Sequence, residues 1–472
     1  MRWMSGQLVL IPLAMAGEAN APLAALVGTD PDQPRLLVVP QPRNRDQRFA
    51  FAAALADLLV PYVDGFCAVA EAVAADRGRE VRYRFLDAPQ VLVPNPGGVR
   101  FLRLFGRSTR FRRTDGDYPV PAAVPLLGRW LTFLANQAEL PGSSTLLAVT
   151  DALALHWASG QSAVEDAQLA SLLAWIDPPA GRSGAVAARA VEDPAVWPPA
   201  GPATDPGFDN AVLAPLITDY ASTGDPAPLE RALRGQLLPT WRLMWRAVDL
   251  LRALPAGARV AGRWDADRDA FSAFASRVRD GAPPQPRRDG AVAAAARLAR
   301  LEAAQDRYAV QRAFDDPLVM AEYRLTGEAF TGVVTLAKAD RVDDSGRRPV
   351  LRPRIMLLTA EPVRVVVGTA LTSPARPGQK AVVVSVSATD GPKTEVVLEL
   401  SGGMGRKLVA EPGSVPEVGE RLLYTTLSEA YRPGGGFPDP DQTPWTHGGP
   451  PVPAAPVPAG SPTPAEATEE WA

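Results

Sequence analysis

Apolar and polar residues alternate in two distinct ways along residues 1–120. Short apolar runs at residues 7–13 and 35–40 have the length and composition of buried strands, and we expect them to pair. Residues 48–60 repeat apolar positions at helical spacing, which predicts a helix, and a second helix is predicted near residues 68–76. This region is therefore expected to be mixed α/β.

Three further segments of the same region have strand-like patterns, at residues 81–86, 90–93 and 99–105. In the last of them arginine alternates with apolar residues, and a period of two is typical of a half-buried strand. We therefore predict a strand whose apolar side chains face a core and whose arginines face solvent.

Helical spacing dominates from residue 121 to residue 325. Ser162 and Glu165 have the spacing of a capping box, in which each side chain bonds a backbone amide of the first turn. They predict the start of a helix that runs to Ile176. The proline-rich segment 193–206 predicts a long ordered loop.

Two longer helices are predicted in this middle region. Apolar residues within 229–248 recur every three or four positions and form one wide stripe, which Pro239 is expected to kink or split. A last helix is predicted over residues 290–314. The region is therefore expected to be mostly helical.

Residues 326–428 return to a period of two. Turn signals separate six short strand-like segments, a number and spacing typical of a small antiparallel barrel or sandwich. The predicted strands are residues 332–336, 350–358, 363–367, 381–386, 395–400 and 420–426.

Proline, glycine, alanine and threonine dominate from residue 433 onward, and this composition cannot bury enough apolar surface to fold. A disordered or extended tail is expected. The predicted fold class is α+β multi-domain. Its parts are a mixed α/β domain at 1–120, a mostly helical domain at 121–325, a small antiparallel β-barrel at 326–428 and a Pro-rich tail at 429–472.

Composition excludes several kinds of chemistry. The formal net charge of -3 gives no overall attraction to polyanions or membranes, so any electrostatic recognition must be local. The single cysteine, Cys67, excludes an intrachain disulfide and a thiolate metal cage, and its apolar setting favours a structural thiol. Only His156 and His447 are present, which excludes multi-histidine metal sites. We predict no metal, no cofactor and no catalytic group, and favour a non-enzymatic protein.

The N-terminal apolar run has two interpretations. Arg2 followed by residues 8–16 resembles a short signal peptide, whereas residues 7–13 fit a buried strand, which we favour. No stretch reaches the eighteen or so apolar residues of a membrane span. We therefore expect a cytoplasmic protein without a membrane partner.

The strongest candidate site combines arginine with phenylalanine. Arginines bind phosphates through paired N–H groups and aromatic rings stack on bases, so the combination suits nucleic-acid recognition. The alternative is an ordinary strand whose arginines face water or pair with Asp115 and Asp117. The candidate residues are Arg100, Arg103, Arg107, Arg110, Arg112, Arg113, Phe101, Phe105 and Phe111, with a second basic group of Arg43, Arg45 and Arg48.

The second basic group lies between a predicted strand and a predicted helix, whose terminal amides could add to an anion site, and the alternative is a solvated loop. Two other motifs favour structural interpretations. Residues 401–407 are glycine-rich but lack the Gly-Lys-Ser/Thr ending of a phosphate-binding loop, which favours a hairpin turn. Glu395, Glu399 and Lys407 could form a nuclease-like set, but alternation along strands produces such sets by chance.

Arginine accounts for 45 of the 49 basic residues, and with abundant alanine, glycine and proline the whole chain resembles proteins of high-GC bacteria. Residues 326–428 show a narrower resemblance, carried by segments 376–386, 395–400 and 416–424. They resemble the accessory β-barrel of superfamily 1 helicases, in which a Pro-x-Val-Gly-Asp/Glu turn similar to 416–420 introduces a barrel strand beside the nucleic-acid channel. The ATPase motifs of those helicases are absent, so the resemblance implies an accessory role.

Three functions remain open at this point. The first is a non-enzymatic accessory protein of a nucleic-acid-processing assembly, with nucleic acid or a helicase-like protein as partner. The second is a scaffold protein unrelated to nucleic acid, and the third is an enzyme of another family. Convergence of the two basic groups on one face would favour the first function.

Overall fold

The computed structural model describes residues 1–429, apart from 19, 75–80 and 406, together with residues 436 and 437. The chain divides into two compact units, residues 1–295 and 296–437. The predicted Pro-rich tail lies almost wholly outside the described residues. The boundary predicted between residues 120 and 121 falls inside the first unit.

A five-stranded sheet forms the centre of the first unit, with the strand order β3-β2-β1-β6-β7. β1 pairs antiparallel with β2 and parallel with β6, and β6 is in turn parallel to β7. The strands are β1 (Leu8–Ala14), β2 (Pro22–Gly28), β3 (Arg35–Val38), β6 (Val91–Val93) and β7 (Leu146–Ala148).

Both faces of this sheet are buried, because side chains alternate between two hydrophobic clusters. Leu8 and Leu10 belong to one cluster, whereas Val9 and Ile11 belong to the other. A strand covered on both faces is apolar at every position, which explains the uninterrupted apolar run at residues 7–13. The unit is therefore a three-layer α/β/α structure.

Helices cover the two faces of the sheet. Those that contribute to the first cluster are α1 (Arg45–Gly65), α2 (Pro96–Thr109), α3 (Ala123–Gln137) and α11 (Val260–Arg279). Those that contribute to the second cluster are α4 (Val149–Ala154), α6 (Leu169–Ile176) and α10 (Ala227–Arg252).

Shorter elements complete the unit. They are the hairpin β4 (Ala70–Ala74) and β5 (Val81–Phe85), helices α5 (Ala163–Asp166), α7 (Gly184–Arg189), α8 (Pro206–Phe208) and α9 (Ala214–Thr223), and one π-helical turn (Asp209–Leu213). The capping box of Ser162 and Glu165 is confirmed. It caps the four-residue α5, and the helix is interrupted before α6 begins.

Four details of the first unit differ from prediction. Residues 35–40 pair with β2, which was not predicted, and not with β1. Residues 68–76 contain strand β4 instead of a helix. Residues 99–105 lie in helix α2, so the predicted strand is wrong. Pro239 does not split α10, which is continuous across it.

The second unit combines two helices with a closed six-stranded barrel, which confirms the predicted antiparallel β-barrel. Its helices are α12 (Ala291–Asp315), which starts just before the unit boundary, and α13 (Pro317–Thr326). The barrel order is β11-β14-β13-β12-β15-β8. Its strands are β8 (Ala329–Lys338), β11 (Arg354–Thr359), β12 (Ala370–Thr372), β13 (Lys380–Ala388), β14 (Thr394–Ser401) and β15 (Arg421–Thr425).

Alternation produces the barrel core. Ile355 and Leu357 of β11 point inward with Val396 and Leu398 of β14, while the residues between them face outward. A two-stranded ribbon of β9 (Val342–Asp343) and β10 (Val350–Leu351) stands beside it. Residues 363–367 form a loop instead of the predicted strand, and the three-residue β12 was not predicted.

Among the described residues, no helix combines the length and apolar character that a membrane span requires.

Candidate nucleic-acid interface

Helix α2 separates the predicted arginines and phenylalanines onto different faces. Asn95 caps its start by accepting a hydrogen bond from the Gly98 amide, and Pro96 occupies its first turn. Phe101 and Phe105 are buried, and their stacked ring centres lie 5.6 Å apart. These two rings belong to the core and are unavailable for stacking on bases.

Two of the predicted arginines hold the protein together instead of facing a ligand. Arg110 is 5% exposed and donates to the backbone oxygens of Gln285 at 3.0 Å and Pro286 at 2.9 Å. Arg103 pairs with Glu139 at 2.6 Å. Burial lowers the pKa of the Arg110 guanidinium, and the neighbouring Arg107 and Arg287 charges lower it further.

The two predicted basic groups converge on one aromatic ring. The guanidinium carbon of Arg45 lies 4.7 Å from the centre of the Phe49 ring, and that of Arg112 lies 5.3 Å from it. Arg45 also donates to the backbone oxygen of Tyr118 at 2.9 Å. Segments more than sixty residues apart in sequence therefore form one positively charged surface.

A second ring continues this surface. The Phe111 ring lies 4.8 Å from the guanidinium carbon of Arg110 and 4.9 Å from that of Arg287. Arg287 was not predicted, because its loop is far away in sequence and carries no pattern. We call the set Arg45, Phe49, Arg107, Phe111, Arg112 and Arg287 the Arg–Phe surface.

The remaining predicted arginines differ in whether they pair with an acidic side chain. Arg48 is tied to Glu18 at 2.7 Å, and Arg113 makes an exposed contact of 3.3 Å with Asp115. Arg43 and Arg100 are exposed, as is Arg107 of the Arg–Phe surface. None of these three guanidiniums contacts an acidic group among the described residues, so they keep their full capacity to bind phosphate.

The start of α1 carries its own side-chain cap. The Asn44 side chain accepts hydrogen bonds from the amides of Asp46 and Gln47, which satisfies the donors an anion would need. Asp46 adds a negative charge in the first turn. An anion at this surface would therefore bind chiefly through guanidinium groups.

Stacking of guanidinium on phenylalanine keeps an arginine in position without neutralising it. The ring contacts one face of the guanidinium plane and leaves the N–H groups at its edge to other partners, which for Arg45 are the Asp46 carboxylate and the backbone oxygen of Tyr118. This geometry suits recognition of phosphate oxygens, and the opposite face of the plane can stack on an unpaired base.

The weaker candidates have structural roles. Glu399 accepts hydrogen bonds from Arg341 and Arg354, and these ion pairs join neighbouring segments of the barrel. Residues 401–407 begin at the end of β14 and lead into a long connection to β15, so the predicted hairpin is wrong. Arg406 lies outside the described residues. Burial raises the pKa of the Cys67 thiol, which keeps the thiol protonated.

Within the described ranges, no group of three or more His, Cys, Asp or Glu side chains could hold a metal ion. Comparisons with protein-family models, with curated proteins and with solved structures find no match to this chain.

Proposed function

We propose that this protein binds the phosphate backbone of nucleic acid through the Arg–Phe surface, as a non-enzymatic accessory protein of a nucleic-acid-processing assembly. The observation that carries the proposal is the convergence of two distant basic segments on the Phe49 ring. An arginine cluster spread over several elements is the arrangement that phosphate contacts require.

The resemblance of residues 326–428 to a helicase accessory barrel supports the same class of function and suggests a helicase-like partner. A cytoplasmic location, where nucleic acid is accessible, fits this proposal. Base-specific recognition is not part of it, because phosphate contacts carry no sequence information.

The proposal is tested by fluorescence anisotropy with single-stranded and duplex oligonucleotides over a salt series. The test variant carries Arg45→Gln, Arg107→Gln, Arg112→Gln and Arg287→Gln, the four arginines of the Arg–Phe surface, and leaves the buried Arg110 intact. We expect the native chain to bind with a steep dependence of affinity on salt. The magnitude of the slope of log affinity against log salt should fall by roughly 3 in the variant, since each of the four lost phosphate contacts removes about 0.7–0.9.

The matched control removes the same number of positive charges elsewhere. Arg189, Arg231, Arg234 and Arg242 are exposed on α7 and α10, and replacing each by glutamine should leave the salt slope unchanged. Absence of binding by the native chain at low salt would refute the proposal. So would an equal loss of binding in the test and control variants.

A further inference from the structure

A pocket of about 330 Å³ opens among α6, α7 and α10. Its volume lies within the range of small-molecule sites in proteins. The lining residues come from α6, the loop after it, the region around α7, the loop at Trp197 and α10. The pocket is bounded chiefly by Leu173, Ala174, Ala190, Trp197, Leu243 and the two arginines Arg182 and Arg246.

Gly184 allows this pocket to form. Helix α7 begins against the end of α6, where a Cβ atom on Gly184 would lie 2.5 Å from the backbone oxygen of Trp175. Ser183 caps α7 by accepting a hydrogen bond from the Val186 amide. The close approach brings α7 beside α6, and the two helices form one wall of the pocket.

Most of the pocket surface is apolar, and its charge is positive. Leu173 and Leu243 supply aliphatic surface, and Trp197 supplies an aromatic face. Among the residues that the structure describes, no acidic side chain lines the pocket. An apolar cavity with charge of one sign at its edge is complementary to an amphipathic ligand of the opposite sign.

The two arginines differ in how much of their hydrogen-bonding capacity other residues already use. Arg246 donates through Nε to the Asp177 carboxylate at 2.8 Å, and its Nη2 contacts the same residue, so its charge is partly neutralised. Arg182 is exposed, and its guanidinium has no hydrogen-bond partner among the described residues. Arg182 is therefore the group that would pair with an anion.

We propose that this pocket binds a small organic carboxylate with an apolar chain or ring. The apolar part would occupy the space between Leu173, Trp197 and Leu243, and the carboxylate would accept hydrogen bonds from the Arg182 guanidinium. Burial of the chain provides most of the affinity, and the charged hydrogen bonds select an acid over a neutral analogue.

This site is independent of the Arg–Phe surface. Helices α6 and α10 pack on one face of the central sheet, whereas α1 and α2 pack on the other. The nucleic-acid proposal can therefore fail without affecting this one, and the reverse also holds.

Isothermal titration calorimetry with decanoate and decan-1-ol on the full chain tests the proposal. We expect one decanoate to bind per chain, more tightly than decan-1-ol. Arg182→Gln should weaken decanoate binding about tenfold, which corresponds to about 1.4 kcal/mol, and should remove the preference over the alcohol.

Filling the pocket should abolish binding of both probes. Ala190→Phe adds a ring at an exposed lining position, and Ala174→Leu fills the same pocket from α6 should the first variant fold poorly. The matched control, Ala185→Phe, adds a ring at an exposed position of α7 outside the lining and should bind decanoate like the native chain. Failure of the native chain to bind decanoate would overturn the proposal. Unchanged binding by correctly folded filling variants would do so too.

Discussion

At the scale of the residue, burial decides what a charged group does in this protein. Arg110 and Arg107 are three positions apart on and just after α2, yet one is 5% exposed and bonded to two backbone oxygens while the other faces solvent. A planar guanidinium with five donors can satisfy carbonyls within the protein, which an ammonium group does less well. Arg110 is therefore a structural residue and Arg107 a candidate ligand-binding one.

Asp267 on α11 shows what burial does to a carboxyl group. It is 4% exposed and accepts a hydrogen bond of 2.7 Å from the Ser144 amide, just before β7. Burial raises the pKa of the Asp267 carboxyl to about 6, although hydrogen bonds from Ser144 and Ser143 and the charge of Arg263 act in the opposite direction.

This raised pKa makes a testable contribution to stability. Since the folded pKa exceeds the ordinary value of 3.8, the folded state binds the proton more tightly than the unfolded chain. The contribution is full below about pH 4 and is lost as the pH rises through about 6. Asp267→Asn keeps an oxygen acceptor for the Ser144 amide and carries no charge. Relative to this variant, the native free energy of unfolding should fall by up to about 3 kcal/mol between pH 4 and pH 7.

Urea unfolding of both proteins at several pH values measures that difference. Asp219→Asn, at an exposed position of α9, serves as the control and should follow the native pH profile. Parallel profiles for the native chain and Asp267→Asn would show that the buried carboxyl does not titrate in this range.

At the scale of the element, glycines set the distance between α2 and α3. A Cβ atom on Gly106 would lie 2.9 Å from the backbone nitrogen of Thr132, and one on Gly128 would lie 2.6 Å from the Cα atom of Arg110. The two helices therefore pack backbone against backbone. This contact holds the chain where it leaves α2, and so positions Arg110, Phe111 and Arg112.

Gly128→Ala should therefore destabilise the first unit by about 3 kcal/mol, because the added methyl group meets backbone atoms that cannot rotate away. Thermal unfolding followed by circular dichroism measures the loss. Oligonucleotide binding by the folded variant should also weaken, because the Arg–Phe surface follows directly after this contact.

Gly235→Ala is the matched substitution in α10, where an added Cβ would meet nothing within 4 Å. Alanine is the better helix former, so this variant should be more stable than the native chain by up to about 1 kcal/mol. Equal effects of the two substitutions would contradict the close packing of α2 and α3.

At the scale of the whole molecule, the net charge is negative whereas the Arg–Phe surface is locally positive. The formal net charge is -3 and the isoelectric point is about 5.7, so the average surface repels a polyanion. The Arg–Phe surface concentrates positive charge on the side of the sheet covered by α1 and α2. At moderate ionic strength, salt screens the electrostatic interaction between charges that are more than about 8–10 Å apart. The local excess of positive charge therefore determines binding.

Retention on a heparin column at pH 8 tests this local excess without nucleic acid. The native chain should be retained at low salt despite its negative net charge, and the Arg45, Arg107, Arg112 and Arg287 glutamine variant should pass through. The variant altered at Arg189, Arg231, Arg234 and Arg242 has the same net charge and should elute with the native chain. Elution order that follows net charge alone would contradict a localised surface.

Local patterns predicted much of the fold. The period of two predicted the barrel, because each barrel strand alternates inward and outward side chains, as Ile355 and Leu357 of β11 do. The prediction of a strand at residues 99–105 is wrong because arginine and apolar residues alternate there only in part. The buried positions Gly98, Phe101, Leu102, Phe105, Gly106 and Thr109 have helical spacing. Asn95 and Pro96 were the signal that could have shown this, as a helix cap followed by a proline in the first turn.

By itself the sequence excluded an intrachain disulfide and a multi-histidine metal site, and it determined the alternation that builds the barrel and two basic segments with aromatic neighbours. Only the tertiary structure decided which of those groups are accessible and adjacent. It placed Phe101 and Phe105 in the core, bonded Arg110 to the loop at residues 285–286, and brought Arg45 and Arg112 to the same ring. The physical reason is range: side-chain periodicity is set by neighbouring residues, whereas burial and charge clustering depend on contacts between segments far apart in the chain.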